Sequence, residues 1–156
     1  MSGNRALKHA SVADYQALSI IHGACFARRW SAAELRSLTE DGFAFPLIAM
    51  MDEDIAGFVL PRVVASEAEI LTIAVAPDCQ RKGVGAFLLH EAIAWVAEKG
   101  ADEVFLEVAE DNTAALALYA LSGFKPAGCR PGYFGAVDGE HGPAKTALVM
   151  RLEIGK

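Results

Sequence analysis

The fold of this chain is decided by residues 73–85, which read IAVAPDCQRKGVG. The first part is an apolar run that predicts a buried strand, and Pro77 ends it because proline has no N–H to donate to a neighbouring strand. Beyond Gly85, apolar residues recur with a period of 3.6 to about Lys99, which predicts a long helix stopped by Gly100. A strand that passes through a glycine loop into a helix is typical of an α/β fold.

On both sides of this stretch, the pattern predicts a β-meander followed by alternating strands and helices. Ser11 with Asp14, and Ser31 with Glu34, have capping-box spacing, so each pair predicts the start of a helix. The predicted strands are residues 6–10, 45–51, 55–64, 69–76, 104–108, 124–128 and 147–152, with a hairpin turn at 51–54 and a further helix at 112–122. We therefore expect one domain over residues 1–156, with a mixed, mostly antiparallel sheet and helices on both faces.

Composition excludes several function classes. The chain has 156 residues and a net charge of −6, which disfavours nucleic acid as a partner and favours a cationic partner such as a basic peptide. No apolar run reaches the roughly 18 residues that cross a bilayer, and the N-terminus has no signal-peptide core. The cysteines are odd in number and far apart (Cys25, Cys79 and Cys129) and, like the scattered histidines, lack metal-ligand spacing. We expect a cytoplasmic protein without metal, membrane or nucleic acid, and leave its oligomeric state open.

The glycine loop is the strongest chemical signal. It lies between a strand and a helix N-terminus, where unpaired N–H groups and the helix dipole favour an anion. Gly83 and Gly85 allow close approach of a ligand, and Arg81 and Lys82 add positive charge. No Gly-Lys-Ser/Thr follows, as a P-loop requires, and Leu88 stands where a dinucleotide fingerprint has its third glycine. The pattern favours pyrophosphate binding, and a solvated strand-to-helix turn is the alternative.

Residues 80–85, QRKGVG, resemble the Gln/Arg-x-x-Gly-x-Gly/Ala signature of the GCN5-related N-acetyltransferases (GNAT), which hold the pyrophosphate of acetyl-coenzyme A (acetyl-CoA). The resemblance extends over most of the chain and narrows to the ribosomal-protein-alanine N-acetyltransferases (RimI type). It is carried by residues 73–77, 106–108, 111–112, 114–115, 118–119 and 123–124, with Trp30, Ser31, Arg130 and Tyr133. It implies cofactor contacts from Ile73, Ala74, Val75, Gln80, Arg81, Lys82, Gly83, Val84, Gly85, Ala86, Asn112 and Tyr119.

Glu107 is the predicted general base. Acetyl transfer needs a deprotonated amine, and an α-amine with a pKa of about 7.7–8.0 is largely protonated at neutral pH. Glu107 interrupts an apolar strand, where a bare carboxylate is costly to bury. The resemblance assigns it the base role, while a glutamate facing water at a strand end is the structural alternative. Glu69 is the reserve base, since other members of the superfamily use a carboxylate on that strand.

Tyr119 is the predicted general acid. It shares a helix face with Ala115 and Leu116, a spacing that by itself is more typical of a core residue. The resemblance places a tyrosine here beside the coenzyme sulfur, where it can protonate the departing thiolate. Asn112 is expected to cap the helix and, by resemblance, to hydrogen-bond the cofactor. The backbone around Val75 is expected to bind the acetyl carbonyl and the pantetheine arm.

Several acceptors are compatible with the sequence. The resemblance implies the N-terminal alanine α-amine of a ribosomal protein, with a lysine or small amine as alternatives, and a non-catalytic acyl-CoA sensor outside the enzymes. Three features depart from the pattern of that branch. Phe134 replaces a tyrosine, and the stretch 135–143 is longer and rich in glycine. Lys145 and Thr146 replace an acidic pair. Covalent transfer through Cys79 is disfavoured because no histidine lies near it in sequence.

Overall fold

The computed structural model describes residues 5–130 and 146–154. Seven strands form one sheet in the order β1-β2-β3-β4-β5-β7-β6, and only the β4–β5 pair is parallel. The strands are β1 (Arg5–His9), β2 (Leu47–Met51), β3 (Asp54–Val64), β4 (Glu67–Val75), β5 (Glu103–Ala109), β6 (Lys125–Arg130) and β7 (Ala147–Glu153). The helices are α1 (Tyr15–Cys25), α2 (Ala32–Thr39), α3 (Val84–Glu98) and α4 (Thr113–Leu121), with short 3-10 turns at Val12–Asp14 and Pro77–Cys79. The predicted mixed, mostly antiparallel sheet is confirmed.

Both predicted capping boxes are present, although they open different structures. The Ser31 hydroxyl accepts from the Glu34 N–H at 3.1 Å, and the Glu34 carboxylate accepts from the Ser31 N–H at 3.0 Å, so α2 begins where the spacing predicts. At the first box, the Asp14 carboxylate accepts from the Ser11 N–H at 2.8 Å, but a 3-10 turn follows and α1 begins only at Tyr15. Short 3-10 turns are common at helix N-termini.

The β2–β3 hairpin is confirmed, with a shorter first strand than predicted. Asp52 takes a φ of 58° in the turn, a value that aspartate tolerates better than most residues. Residues 45 and 46 precede β2: Phe45 donates its N–H to the Pro61 carbonyl at 3.3 Å, and Ala44 forms an isolated bridge with Arg62. Pro46 has no N–H, so it cannot donate to a continuous ladder here.

The sheet has a hydrophobic core on each face. The α3/α4 face holds the larger one, in which Leu88 and Val96 of α3 pack with Leu106 of β5. The α1/α2 face holds the other, in which Leu18 of α1 and Leu35 of α2 are fully buried against β2, β3 and β4. Helices therefore cover both faces, as the apolar patterning predicts.

A β-bulge in β4 changes which residues meet each core. Leu60 of β3 pairs with Thr72, and its neighbour Pro61 pairs with Ile70, so Leu71 lies opposite no residue of β3. Ile70 consequently packs on the α3/α4 face, while Ala74, four residues on, packs on the α1/α2 face. The bulge reverses the alternation of side chains along the second half of β4.

Candidate active site

The site is a fork between the two parallel strands. β4 pairs with β5 only from Glu67–Glu103 to Ile70–Leu106, after which β5 continues to pair with β7 and β4 with β3. Among the described residues, no strand pairs with the β5-facing edge of β4 beyond Ile70. Diverging strands leave backbone N–H and C=O groups along the fork that can bind a ligand.

Ile73 and Val75 turn their backbone groups into this fork. The Ala76 N–H donates to the Ala56 carbonyl at 2.8 Å across the β3–β4 ladder. Backbone groups alternate direction in an antiparallel pair, so those of Val75 and Ile73 face away from β3. Ala74, the third predicted contact of this strand, has its backbone toward β3 and its methyl group buried in the α1/α2 core.

The carbonyl of Val75 is already engaged. It accepts from the Gln80 side-chain amide at 3.1 Å and from the Cys25 thiol at 3.2 Å. The predicted cofactor residue Gln80 therefore folds the loop back onto the end of β4, and Cys25 brings the end of α1 to the mouth of the fork. Burial raises the pKa of the Cys25 thiol, which keeps this donor protonated at neutral pH.

The glycine loop ends at the N-terminus of α3, as the spacing predicts. Gly83 is the N-cap with a φ of 81°, in the left-handed region that favours glycine, and its carbonyl accepts from the Phe87 N–H at 3.0 Å. The N–H groups of Val84, Gly85 and Ala86 precede the first intrahelical donor, so they are available to an anion. These three residues are all in the predicted cofactor set.

The position of Gly85 fits an approaching ligand. A Cβ placed on Gly85 would lie 3.6 Å from the Leu118 side chain of α4 and 3.9 Å from that of Val75. Gly85 thus faces the space between the end of β4 and α4. Arg81 and Lys82 are exposed beside it and form no ion pair within residues 5–130 and 146–154. The loop therefore adds two positive charges, immediately before the helix, to three helix N–H groups.

The two predicted bases line a single cavity of about 400 Å³ on the α1/α2 face, beyond the area that α1 and α2 cover. Glu107 is half-buried and comes immediately after Leu106, the last β5 residue paired with β4. Glu69 is exposed and pairs with Phe105 inside the parallel ladder. Glu107 therefore lies at the branch point of the fork, whereas Glu69 lies within the paired part of β4 and β5.

Tyr119 lies on the opposite, α3/α4 face. It is 9% exposed and packs edge-on against Phe124, with ring centroids 5.8 Å apart. Burial raises the pKa of its phenol to about 12, so the hydroxyl stays protonated and able to donate at neutral pH. Tyr119 is therefore a core residue, as its spacing predicts, and its phenol also carries the proton that a general acid needs.

Asn112 caps α4 as predicted. Its side-chain oxygen accepts from the Ala115 N–H at 3.2 Å, which orders the first turn of the helix. With that oxygen engaged, the side-chain NH₂ is the group that Asn112 can offer to a ligand.

His22 is a feature that sequence reasoning missed. The imidazole is buried and stacks between Phe26 and Trp30, with ring centroids 4.5 Å and 4.6 Å away. Its Nδ1 accepts from the Trp30 N–H at 3.2 Å, so it shapes the loop that follows Cys25 at the mouth of the fork. Burial lowers its pKa to about 4, with a smaller opposing effect of Glu34 and a reinforcing one of Arg28. The spacing of His22, Phe26 and Trp30, four positions apart, is the sequence pattern that could have predicted this stack.

Other sequence expectations fall at the margins of the site. Cys79 is half-buried in the Pro77–Cys79 turn and packs against the α3/α4 core, which agrees with a packing role. Tyr133, Phe134 and Lys145 lie outside the described residues. Within the described ranges, no group of three or more His, Cys, Asp or Glu side chains could hold a metal ion. Over the same residues, every helix is too short or too polar to span a bilayer.

Comparisons with known proteins agree with this geometry. The sequence profile of the acetyltransferase (GNAT) family matches residues 15–124. The chain is 39% identical over 99 residues to the ribosomal protein bS18-alanine N-acetyltransferase of Escherichia coli K12, and the match covers 64% of each protein's length. The crystal structure of the Escherichia coli ribosomal-protein-S18-alanine N-acetyltransferase superposes with a TM-score of 0.88 at 29% identity, covering 98% of this chain and 96% of that one. A Salmonella typhimurium protein solved with its cofactor acetyl-CoA shares the fold, with a TM-score of 0.82 at 19% identity over 99% and 96% of the two chains.

Proposed function

This chain belongs to the acetyltransferase (GNAT) family, and we propose that it transfers the acetyl group of acetyl-CoA directly to the N-terminal α-amine of a protein. The observation that carries the proposal is the fork between β4 and β5. The glycine loop opens on one face of the sheet, a carboxylate lies at the branch point on the other, and the two faces meet where the strands part.

Acetyl-CoA fits the residues around the fork. The helix N–H groups of Val84, Gly85 and Ala86, with Arg81 and Lys82, would hold the pyrophosphate. Backbone groups of Ile73 and Val75 would hold the pantetheine arm. The Val75 carbonyl is already engaged, so Val75 would contribute its N–H. When bound, acetyl-CoA supplies the acetyl group as an activated thioester.

Glu107 would act as the base on the acceptor side. The α-amine must lose a proton before it can attack a thioester carbonyl, and Glu107 stands where an amine entering from the α1/α2 face reaches the fork. It would take that proton directly or through one water molecule. Glu69, in the same cavity, is the alternative acceptor of the proton.

Tyr119 would act as the acid on the cofactor side. Its phenol is protonated at neutral pH and lies on the face that carries the glycine loop. It would donate its proton to the leaving sulfur. Solvent would then return a proton to Tyr119 and accept the proton that Glu107 took from the amine. Base and acid on opposite faces suit a direct transfer in which donor and acceptor approach from opposite sides.

The names of the relatives and the net charge support the proposed acceptor. The Escherichia coli relative and the Escherichia coli crystal structure compared above are both named as an alanine N-acetyltransferase of a ribosomal protein. The net charge of −6 suits a basic ribosomal chain, because opposite charge accelerates encounter. We propose the N-terminal alanine of a small-subunit ribosomal protein as the acceptor.

The test is a transfer assay with peptides that carry both a free N-terminal alanine and an internal lysine. Mass spectrometry after incubation with acetyl-CoA should find the acetyl group on the α-amine, and an N-terminally blocked copy of each peptide should remain unmodified. Acetyl on lysine alone, or turnover only with small amines in a parallel CoA-release assay, would overturn the acceptor and retain acetyl transfer. Absence of CoA release with every amine would overturn the activity itself.

A further inference from the structure

The loop that we assign to pyrophosphate is held from outside by a residue far away in sequence. The Arg5 guanidinium on β1 donates to the Gly83 carbonyl at 2.9 Å across 78 positions of the chain. Its central carbon also lies 5.7 Å from the centroid of the Phe87 ring in the first turns of α3. One side chain thus touches the residue that begins the helix and the residue one turn further on.

We propose that Arg5 is a positioning residue for the phosphate-binding loop. This inference rests on the proposed function, because it concerns how the same loop holds acetyl-CoA. The Gly83 carbonyl has two donors, the Phe87 N–H inside the helix and Arg5 outside it. Together they fix the peptide plane between Gly83 and Val84, and that plane carries the first of the N–H groups directed at the anion.

Arg5 contacts the glycine loop on the side away from the gap between β4 and α4. A Cβ on Gly83 would lie 3.1 Å from the Arg5 guanidinium, whereas a Cβ on Gly85 would point at Leu118 and Val75. Arg5 therefore lies on the outer flank of the loop and the gap lies on the inner one. Glycine adopts a left-handed φ about as readily as a negative one, so an unsupported loop would not hold Gly83 in this conformation. The Arg5 bond helps to select it.

Arginine is suited to this task in a way that lysine is not. Its planar guanidinium can lie over a ring while it donates in plane to a carbonyl, whereas an ammonium is a compact charge on a flexible stem. Replacing Arg5 by lysine keeps the charge near the loop and loses the fixed geometry. The two substitutions Arg5→Ala and Arg5→Lys therefore separate positioning from simple charge.

The experiment measures binding of three donors that differ in their phosphates: acetyl-CoA, its 3′-dephospho form and acetylpantetheine. Calorimetry gives Kd for the first two, and ligand-observed NMR titration gives it for the third. The full chain is used, with its purification tag at the C-terminus so that β1 is undisturbed. The matched control is Lys8→Ala, which removes a cation from the same strand whose ammonium pairs instead with Asp14 at 3.1 Å.

Arg5→Ala should raise Kd by roughly tenfold, and by the same factor, for both pyrophosphate-containing donors, since oriented N–H groups on an anion form strong hydrogen bonds. Acetylpantetheine should bind the variant and the unaltered protein equally. Arg5→Lys should recover less than half of the loss in binding free energy, and Lys8→Ala should leave all three Kd values unchanged.

Other patterns overturn the inference. An unchanged Kd for acetyl-CoA in Arg5→Ala removes the support role while the proposed function stands. A loss confined to the donor with a 3′-phosphate would mean direct contact with that phosphate, and an equal loss with acetylpantetheine would mean general distortion of the cleft. If the unaltered protein binds none of the donors, the proposed function fails and the inference falls with it.

Discussion

The proposed sites on the two faces of the sheet differ in how the chain forms them. On the α3/α4 face, the proposed cofactor site is formed largely by one continuous segment, from the end of β4 through the loop into α3. On the α1/α2 face, the proposed acceptor site joins distant parts of the chain: the cavity of Glu69 and Glu107 is lined by β3, β4, β5 and β7.

This difference indicates how the two recognition tasks are divided. A pyrophosphate is the same in every reaction, and a local loop with fixed N–H groups can serve it. An acceptor varies, and its site is assembled from the faces of several strands whose side chains can change independently. Substitutions in the glycine loop should therefore alter the affinity for the donor, and those in the cavity of Glu69 and Glu107 should alter chemistry and acceptor use.

The largest effect is expected for Glu107→Gln on the acceptor face. Loss of the base should lower kcat/KM by roughly 10²–10⁴, with partial recovery at high pH, where the α-amine loses its proton without help. The Kd for acetyl-CoA should change little, because the side chain is on the other face. The measurement is a pH–rate profile of peptide acetylation.

Glu69→Gln is the matched control for this prediction. It removes the same charge from the same cavity, one step before the fork opens. A normal rate and pH profile for Glu107→Gln, combined with a large loss for Glu69→Gln, would move the base role to Glu69.

The next effect concerns pH and His22. Because burial lowers its pKa to about 4, the folded state resists a proton that the unfolded chain accepts near pH 6.5. The contribution of His22 to the free energy of unfolding is thus fully present above pH 6.5. It decreases by on the order of 3 kcal/mol as the pH falls to 4. Urea unfolding at a series of pH values measures the slope.

His22→Phe provides the comparison for this slope. Phenylalanine can stack between Phe26 and Trp30 but cannot titrate, so the variant should lose part of the pH dependence between 6.5 and 4 while being less stable throughout. The same slope in both proteins would contradict the assignment of this titration to His22.

A smaller effect is expected for Gly85→Val on the cofactor face. Its branched side chain should fill the gap toward Leu118 and weaken acetyl-CoA binding by about 2 kcal/mol, or roughly 30-fold, through lost N–H···phosphate bonds. Gly85→Ala is the control, since its single Cβ makes only ordinary contacts. Calorimetry distinguishes them, and equal Kd values for Gly85→Val and the unaltered protein would place the cofactor elsewhere.

The smallest effect is expected for Tyr119→Phe. A thiol with a pKa near 8.5 is a moderately good leaving group without an acid, so kcat should fall by only roughly tenfold and Kd for acetyl-CoA should hold. Tyr15→Phe is the control, because it removes a hydroxyl bonded to Thr39 on the opposite face. A Tyr119→Phe enzyme with an unchanged kcat would leave this residue only its packing role against Phe124.

Much of the site could be predicted because its signals are local. The capping box of α2, the Asn112 cap and the Gly83 turn each depend on a few consecutive residues whose backbone needs are specific, so the pattern implies the structure. Boundaries were less predictable: β4 begins two residues earlier than its apolar run, since pairing with β3 continues through the exposed Glu67.

The sequence by itself determined the order of strands and helices, the glycine loop and the identity of the acidic and phenolic side chains. Only the tertiary structure decided that Leu71 bulges, that β4 and β5 part after Ile70, and that Glu107 and Tyr119 take opposite faces at the opening. Strand pairing decides these features, and it depends on contacts between residues far apart in the chain. Arg5 against Gly83 is the clearest case, because no local pattern links two residues 78 positions apart; packing of β1 beside β2 and of α3 on the sheet brings them together.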